Sequence, residues 1–135
     1  LFKSLCENPI SDETLHSYLS QLNFTDTKVK VSNLSGGNKR KVNIMIGLLS
    51  RPKILILDEP TEDIDLESRY DIHNLLQQMT DQCLIIMTTH HLDEVEALAD
   101  DIKVIGQNPF YHDILENKGW SFKKYANALA DNTKS

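Results

Sequence analysis

Apolar residues along the chain fall into two kinds of pattern, helical stripes and short uninterrupted runs. Two stripes repeat at i, i+3, i+4 and i+7, which is the spacing of one face of an α-helix. The first stripe follows Ser11, a capping residue with acidic residues directly behind it, and the second precedes a turn at Asp81. The two patterns predict amphipathic helices that pack on a core. Their apolar residues are Leu15, Tyr18, Leu19 and Leu22 in the first, and Ile72, Leu75, Leu76 and Met79 in the second.

Two uninterrupted apolar runs, residues 53–57 and 83–87, flank the second of these helices. Apolar runs without alternation are typical of parallel strands that are buried on both faces. A strand, a helix and a strand within residues 53–87 have the size of a βαβ unit, whose crossover is almost always right-handed. The pattern therefore predicts an α/β fold in which the carboxyl ends of both strands meet at one edge of the sheet.

The remaining segments give weaker patterns. A largely apolar helix is predicted to begin directly after Gly36-Gly37 and to stop at Arg51-Pro52, and a short helix is predicted from Leu92 to about Ala99. Residues 103–105 predict a short edge strand, residues 110–125 fit either a docking helix or an apolar flap, and residues 126–135 a frayed tail. The short helix is expected to turn Leu92, Val95 and Leu98 inward and Asp93, Glu94 and Glu96 outward.

Length and charge narrow the possible functions. A chain of 135 residues fits one ordinary domain, and a formal net charge of −6 argues against nucleic acid as a partner, because surfaces that bind it are normally basic. No apolar run approaches the roughly 18–20 residues that span a bilayer. The abrupt start without a methionine or a signal pattern is expected of a fragment, so any membrane link comes through another segment or subunit. Cys6 and Cys83 are expected to be reduced thiols, with Cys83 in the core.

Candidate chemistry begins where the first predicted strand ends. Asp58 and Glu59 follow that strand, and His90 follows the second. All three side chains are expected at the same sheet edge, which is where open α/β sheets bind ligands. Taken alone, an Asp-Glu pair after a strand is equally consistent with a solvated turn.

A second candidate lies at the start of the apolar helix, in the sequence Leu-Ser-Gly-Gly of residues 34–37. Bare backbone N–H groups at a helix N-terminus attract anions, because the helix dipole and the unpaired donors point the same way. A capped junction between a loop and a helix, with glycines for tight packing, explains these four residues as well.

Taken together, the order and spacing of these motifs resemble the C-terminal half of an ABC-transporter nucleotide-binding domain, over residues 11–105. In this resemblance residues 34–37 are the signature motif, Ile54–Asp58 the Walker B strand and residues 62–65 the D-loop. The basic residues 39–41 and the run 90–94 are most similar to the A subfamily, whose members are mostly lipid transporters or floppases. The implied fold is α/β, the C-terminal part of a P-loop NTPase domain, with parallel strands, flanking helices and part of the helical subdomain.

The resemblance also implies domain limits. Residues 1–105 would be the partial ATPase domain, with a helical and signature region at about 11–50 and the Walker B to switch-histidine region at about 53–105. Residues 106–135 would be a C-terminal extension and tail.

The resemblance implies a role for each residue at the sheet edge. Asp58 would hold Mg²⁺, Glu59 would polarise the attacking water, and His90 would donate a hydrogen bond to the γ-phosphate of ATP. These residue types suit phosphoryl transfer, which depends on positioning and charge neutralisation. His91 is expected to be structural or exposed.

Residues of the signature motif and the D-loop are implied to act across a dimer interface. Ser35, Gly36 and Gly37 would offer a hydroxyl and backbone amides to ATP held by a second nucleotide-binding domain, and Asp65 would lie at that interface. The other implied partners are the N-terminal half of the domain and the transmembrane domains of a transporter, which would hold the chain on the cytoplasmic side of a membrane.

The chain also departs from the family pattern. The Walker A loop and the glutamine loop do not occur in the sequence, so the chain by itself is not expected to bind ATP tightly or to hydrolyse it. Glu62 and Asp63 replace small residues of the D-loop, and Asp101 replaces an arginine. The segment after Ile105 is shorter than in the family.

Three hypotheses about function follow. The leading one is part of an ATPase domain that powers transmembrane transport of a substrate, with lipid as the candidate. The second is a non-catalytic remnant that presents its signature helix to an intact partner domain. The third is part of a soluble ABC ATPase of translation or DNA repair, which the acidic balance and the run at residues 90–94 disfavour.

Overall fold

The computed structural model describes residues 2–24, 30–106, 109–117 and 119. The chain forms two compact units, residues 1–98 and residues 99–135. The first unit contains helices α1 (Asp12–Gln21), α2 (Gly36–Leu48), α3 (Leu66–Met79) and α4 (Leu92–Leu98), strands β1 (Ile54–Asp58) and β2 (Leu84–Thr88), and short 3-10 helices at Phe2–Leu5 and Val31–Asn33. The second unit contains helix α5 (Pro109–Asn117).

Strands β1 and β2 pair in parallel and α3 connects them, so the predicted βαβ unit is confirmed. The register runs from Ile54 opposite Leu84 to Asp58 opposite Thr88. Each strand lies one residue further along the chain than the sequence predicted. Asp58 is therefore the last residue of β1 rather than the first residue after it.

A side chain caps the N-terminus of each long helix in the first unit. The Ser11 hydroxyl accepts a hydrogen bond from the backbone N–H of Thr14 at α1 (3.1 Å), and Ser35 and Asp65 do the same at α2 and α3. Such caps satisfy N–H groups that have no partner within the helix, and each contributes about 1 kcal/mol. The predicted helix start near Ser11 is confirmed, and α2 begins at Gly36, two residues before its predicted start after Gly37.

The core of the first unit lies between α1, α2, α3 and one face of the sheet. Leu22, Leu48, Ile72, Leu75 and Leu76 are almost completely buried. Burying one such side chain contributes about 1.5–3 kcal/mol, so this cluster is the main source of stability. Cys83 is buried in the same core, as predicted, and burial raises the pKa of its thiol.

A buried ion pair crosses this core between α2 and α3. The Nζ of Lys41 lies 2.6 Å from Oδ2 of Asp71, and the two side chains are 5% and 9% exposed. Lys41 also donates to the backbone carbonyl of Leu22 (2.9 Å), and Asn23 donates to the other Asp71 oxygen (2.8 Å). Both charges are thus paired and hydrogen-bonded, which a buried pair requires. The pair ties α2 and α3 to the end of α1.

The prediction that both strands are buried on both faces is wrong for the described residues. Ile54 and Ile56 of β1 are 55% and 74% exposed, and Leu84 and Ile86 of β2 are 59% and 49% exposed. Alternate side chains of a strand point to opposite faces, and the described helices pack on one face only. The four side chains form an apolar surface, called here the open sheet face.

The predicted edge strand at residues 103–105 is also wrong, because this segment has no regular structure. A strand requires a neighbouring strand for its backbone hydrogen bonds, and the described sheet consists of β1 and β2 alone. Residues 110–125 were left open between helix and flap. Residues 110–117 belong to α5, and the predicted tail at residues 126–135 lies outside the described residues.

Candidate active site

The parallel pairing of β1 and β2 places Asp58 beside Thr88 at the carboxyl edge of the sheet. The Thr88 hydroxyl donates a hydrogen bond to Oδ1 of Asp58. The backbone N–H of Glu59 donates to the carbonyl of Thr88 (3.0 Å) and lies 3.2 Å from its hydroxyl oxygen. Thr88 is therefore hydrogen-bonded both to the side chain of Asp58 and to the backbone of Glu59. No sequence motif identifies Thr88, although parallel pairing of the two strands predicts that a residue of β2 lies beside Asp58.

Glu59, the first residue after β1, has an unusual backbone conformation. Its φ angle is +45°, in the left-handed region that glutamate rarely adopts, and the next residue, Pro60, is fully buried. A non-glycine residue held there costs on the order of 1–3 kcal/mol, and such residues cluster at functional sites. The turn brings the Glu59 side chain to His90, whose Nδ1 lies 3.1 Å from Oε1 of the carboxylate. Asp58, Glu59 and His90 thus meet at one edge, as the βαβ spacing predicts.

The two oxygens of the Glu59 carboxylate differ in their surroundings. Oε1 bonds His90, whereas Oε2 is buried and has no hydrogen-bond partner in the described part of the chain. A buried acceptor without a partner carries a cost of about 1–3 kcal/mol.

His90 lies in a negative environment. The hydrogen bond from its ring to Glu59 raises its pKa above the ordinary value of 6.5, and this effect outweighs burial, which acts in the opposite direction. The negative charges of Glu59, Glu62 and Glu94 raise the pKa further. The His90 side chain is 52% exposed, so it remains accessible to a ligand.

Glu62 joins the same group. Its Oε2 lies 2.9 Å from Nε2 of His91 and 3.5 Å from Nε2 of His90. The two imidazole rings lie 4.3 Å apart, centre to centre. The sequence predicts added negative charge from Glu62, and the structure shows that this charge faces both histidines.

Glu94 is a buried carboxylate whose charge acts on His90, and the sequence prediction of its position is wrong. Glu94 was expected on the outer face of α4, yet it is 0% exposed. The Thr61 hydroxyl donates to it (2.7 Å), and Nε2 of His73 lies 3.0 Å away. Burial alone would raise the Glu94 pKa, but hydrogen bonds from His73, Thr89 and Thr61 lower it. These partners come from other segments, so the periodicity of a helix cannot reveal them.

Ser35 and Gly37, which were predicted to belong to a signature motif, form a second group with Asp65. Ser35 caps α2, and Gly37 lies against the first turn of α3. A Cβ on Gly37 would lie 2.3 Å from Oγ of Ser68 and 2.6 Å from Oδ2 of Asp65, whereas a Cβ on Gly36 would meet nothing within 4 Å. Only glycine fits at position 37 without displacing the α3 cap.

Asp65 keeps its negative charge at this contact. Hydrogen bonds from the backbone and side chain of Ser68 lower its pKa. The second group remains separate from the first, since no hydrogen bond or ion pair joins the two within residues 30–106.

Comparison with known proteins decides the family. A family model described as ABC transporter matches residues 2–62. The retinal-specific phospholipid-transporting ATPase ABCA4 of Homo sapiens is 42% identical over 82 residues, which are 61% of this chain. The chain carries part of an ABC transporter nucleotide-binding domain of the A-subfamily type. Two other relatives of this ABC domain are the ABC transporter A family member 7 of Dictyostelium discoideum, 34% identical over 73% of the chain, and the xylose import ATP-binding protein XylG of Thermoanaerobacter pseudethanolicus, 37% identical over 76%.

Solved structures confirm the fold of the ABC domain as that of a P-loop NTPase cassette. An inward-facing putative metal-chelate type ABC transporter matches with a TM-score of 0.57 and 30% identity, over 65% of this chain and 36% of that one. A dimeric bacterial ABC transporter cassette matches with a TM-score of 0.54 over 67% of this chain and 43% of that one, and at 23% identity it supports the fold alone.

The chain spans 4%, 12% and 21% of the length of the human, Dictyostelium and Thermoanaerobacter relatives. Within the described residues, no helix has both the length and the apolar character needed to cross a bilayer.

Proposed function

We propose that this chain supplies the Walker B strand, the catalytic carboxylate, the switch histidine and the signature helix of an ATP-hydrolysing transporter domain. The observation that carries the proposal is the contact between Glu59 and His90 beside Asp58, at the carboxyl edge of a parallel sheet. The left-handed turn at Glu59 strengthens it, because residues in rare backbone conformations cluster at functional sites.

The residues fit the Mg²⁺ that ABC ATPases typically bind with ATP. Asp58 is exposed at the end of β1, and Thr88 fixes one of its oxygens through a hydrogen bond. A carboxylate oxygen is a preferred ligand of Mg²⁺, which keeps much of its water shell. Bound Mg²⁺ would neutralise charge on the phosphates, and Asp58 is the residue of this chain that would hold it.

Glu59 and His90 have the two remaining roles in hydrolysis. Glu59 orients the attacking water and accepts its proton. His90 holds Glu59 in place and, as a donor, recognises the terminal phosphate. The negative charges around His90 favour its protonated form, which donates from both ring nitrogens.

Ser35, Gly36, Gly37 and Asp65 act at a second surface. The Ser35 oxygen accepts the capping hydrogen bond of Asn38, which leaves its O–H to donate to a phosphate, together with the first N–H groups of α2. We infer that the phosphate belongs to ATP on a second nucleotide-binding domain.

The missing Walker A loop belongs to a segment that completes the domain. The open sheet face supports this inference, because four exposed apolar side chains on paired strands favour burial by another segment. The complete protein is proposed to lie on the cytoplasmic side of a membrane through transmembrane domains. Lipid is the proposed cargo, since a phospholipid-transporting ATPase is among the A-subfamily relatives.

The proposal is tested by ATP hydrolysis in a longer polypeptide that contains this chain and a Walker A segment. Replacing Glu59 by Gln keeps its size but removes the base, and should lower the rate by about 10²–10⁴-fold. Glu13→Gln, at an exposed site on α1, is the matched control and should keep the full rate. Equal rates in both variants would contradict the role of Glu59. The isolated chain should show negligible turnover.

Glu62 favours one alternative, a non-catalytic domain that only presents its signature helix to a partner. Its carboxylate contacts the histidine that hydrolysis needs, which opposes catalysis at this site. In that case ATP turnover by the dimer would survive Glu59→Gln but would be lost in Ser35→Arg, which blocks the signature surface.

A further inference from the structure

Four potential metal ligands meet at the edge of the sheet. One nitrogen or oxygen atom from each of Glu59, Glu62, His90 and His91 lies within 4.8 Å of the corresponding atoms of the other three. We propose that these four side chains form a binding site for a transition metal ion of the Zn²⁺ type. The site is separate in its ligands from the magnesium position at Asp58.

Two pairs of ligand atoms already have the spacing of a tetrahedral site. With bonds of about 2.0–2.2 Å from zinc to nitrogen or oxygen, neighbouring ligand atoms in a tetrahedron are roughly 3.3 Å apart. Oε1 of Glu59 lies 3.1 Å from Nδ1 of His90, and Oε2 of Glu62 lies 2.9 Å from Nε2 of His91. Glu62 also lies 3.5 Å from His90, but from Nε2, the other nitrogen of that ring, so the ring must turn for one nitrogen to join both pairs. The His90 side chain is 52% exposed and has room to turn, and the four ligand atoms, which lie within 4.8 Å of one another, then close by up to about 1.5 Å.

The backbone holds the four ligands in place. Glu59 is tied to β2 through its N–H bond to Thr88, and the N–H of Glu62 bonds the carbonyl of Glu59 (3.2 Å). His90 and His91 lie two and three residues beyond the end of β2. The pairing of β1 with β2 therefore positions the site before any ion binds, which lowers the cost of ordering ligands.

The donor set selects the kind of ion. Two imidazoles and two carboxylates suit Zn²⁺, whereas Mg²⁺ prefers oxygen ligands in octahedral geometry. Glu62 has no part in the proposed hydrolysis, so this ligand is not a requirement of that reaction. If the proposed function holds, an ion at this site would occupy Glu59 and His90 and block hydrolysis, but the binding itself does not depend on that function.

The binding is tested by calorimetric titration of the 135-residue chain with Zn²⁺. We expect one ion per chain, with affinity unchanged by excess Mg²⁺. Glu62→Gln and His91→Ala each remove one ligand and should weaken binding by at least about tenfold. His16→Ala removes an exposed histidine on α1 and should leave the affinity unchanged. Circular dichroism of each variant checks that the fold is retained.

Substitution by Co²⁺ checks the identity of the ligands, because Cys6 is a partly exposed thiol. Ligation by nitrogen and oxygen gives visible tetrahedral bands without the intense near-ultraviolet absorption of a cobalt thiolate. The proposal fails if no ion binds, if both Glu62→Gln and His91→Ala retain full affinity, if Mg²⁺ displaces the ion, or if the thiolate band appears.

Discussion

At the scale of single residues, the site is built from a few side chains whose partners are set by strand pairing. Asp58 and Thr88 face each other because β1 and β2 run in parallel register, and Glu59 leaves the strand in a left-handed turn. His90 completes the arrangement two residues beyond β2. The register of β1 and β2 and the turn at Glu59 therefore determine which of these side chains meet.

The proton affinity of His90 gives a prediction at this scale. Because Glu59 raises the His90 pKa, an NMR titration should give a midpoint above 6.5. The pairing contributes fully to stability below pH 6.5 and is lost as the pH rises through the higher value of the folded state. Glu59→Gln should move the midpoint back towards 6.5. A midpoint at or below 6.5 in the unmodified chain would contradict the contact.

Gly36 and Gly37 give a second prediction, because they are neighbours with opposite steric surroundings. Gly37→Ala should lower the free energy of unfolding by about 1–3 kcal/mol, since its Cβ would overlap the α3 cap. Gly36→Ala should leave it unchanged or raise it by up to about 1 kcal/mol, because alanine favours the helix. Urea denaturation of both variants measures the difference. Equal stabilities would show that the close contact at Gly37 is not formed.

At the scale of helices and strands, polar contacts decide how the elements are fixed to each other. The apolar core brings α1, α2 and α3 together, but apolar contact alone leaves some freedom to slide. Lys41 and Asp71 link α2 to α3, and Glu94 links α4 to His73 of α3. Buried polar groups satisfied in this way favour one arrangement of the helices.

The Lys41–Asp71 pair gives a prediction at this scale. Lys41→Met leaves the Asp71 carboxylate buried without its cation and should cost about 3–5 kcal/mol of unfolding free energy. The double variant Lys41→Met with Asp71→Leu should regain most of that loss, because both charges are gone. Chemical denaturation of the single and double variants forms the test. A double variant as unstable as the sum of both single ones would mean that the two side chains do not interact.

At the scale of the whole molecule, the sequence predicts those features that depend on neighbouring residues along the chain. The βαβ unit, the helix caps and the meeting of Asp58, Glu59 and His90 follow from local patterns and one topological rule. The burial of Glu94 does not, because its partners Thr61 and His73 are more than twenty residues away. The open sheet face likewise contradicts the prediction that an uninterrupted apolar run is buried on both faces. Burial of a strand depends on which other segments pack on it, and the run itself does not contain that information.

The close contact at Gly37 has a mechanical consequence. With no side chain between them, the start of α2 rests on the Asp65 and Ser68 side chains, and Asp65 caps α3 at the end of the loop that begins at Glu59. A displacement of the Ser35 end of α2 towards α3 would therefore meet direct contact, with no side chain of Gly37 in between. Force applied at the start of α2 would reach the loop that carries Glu59 through this single contact.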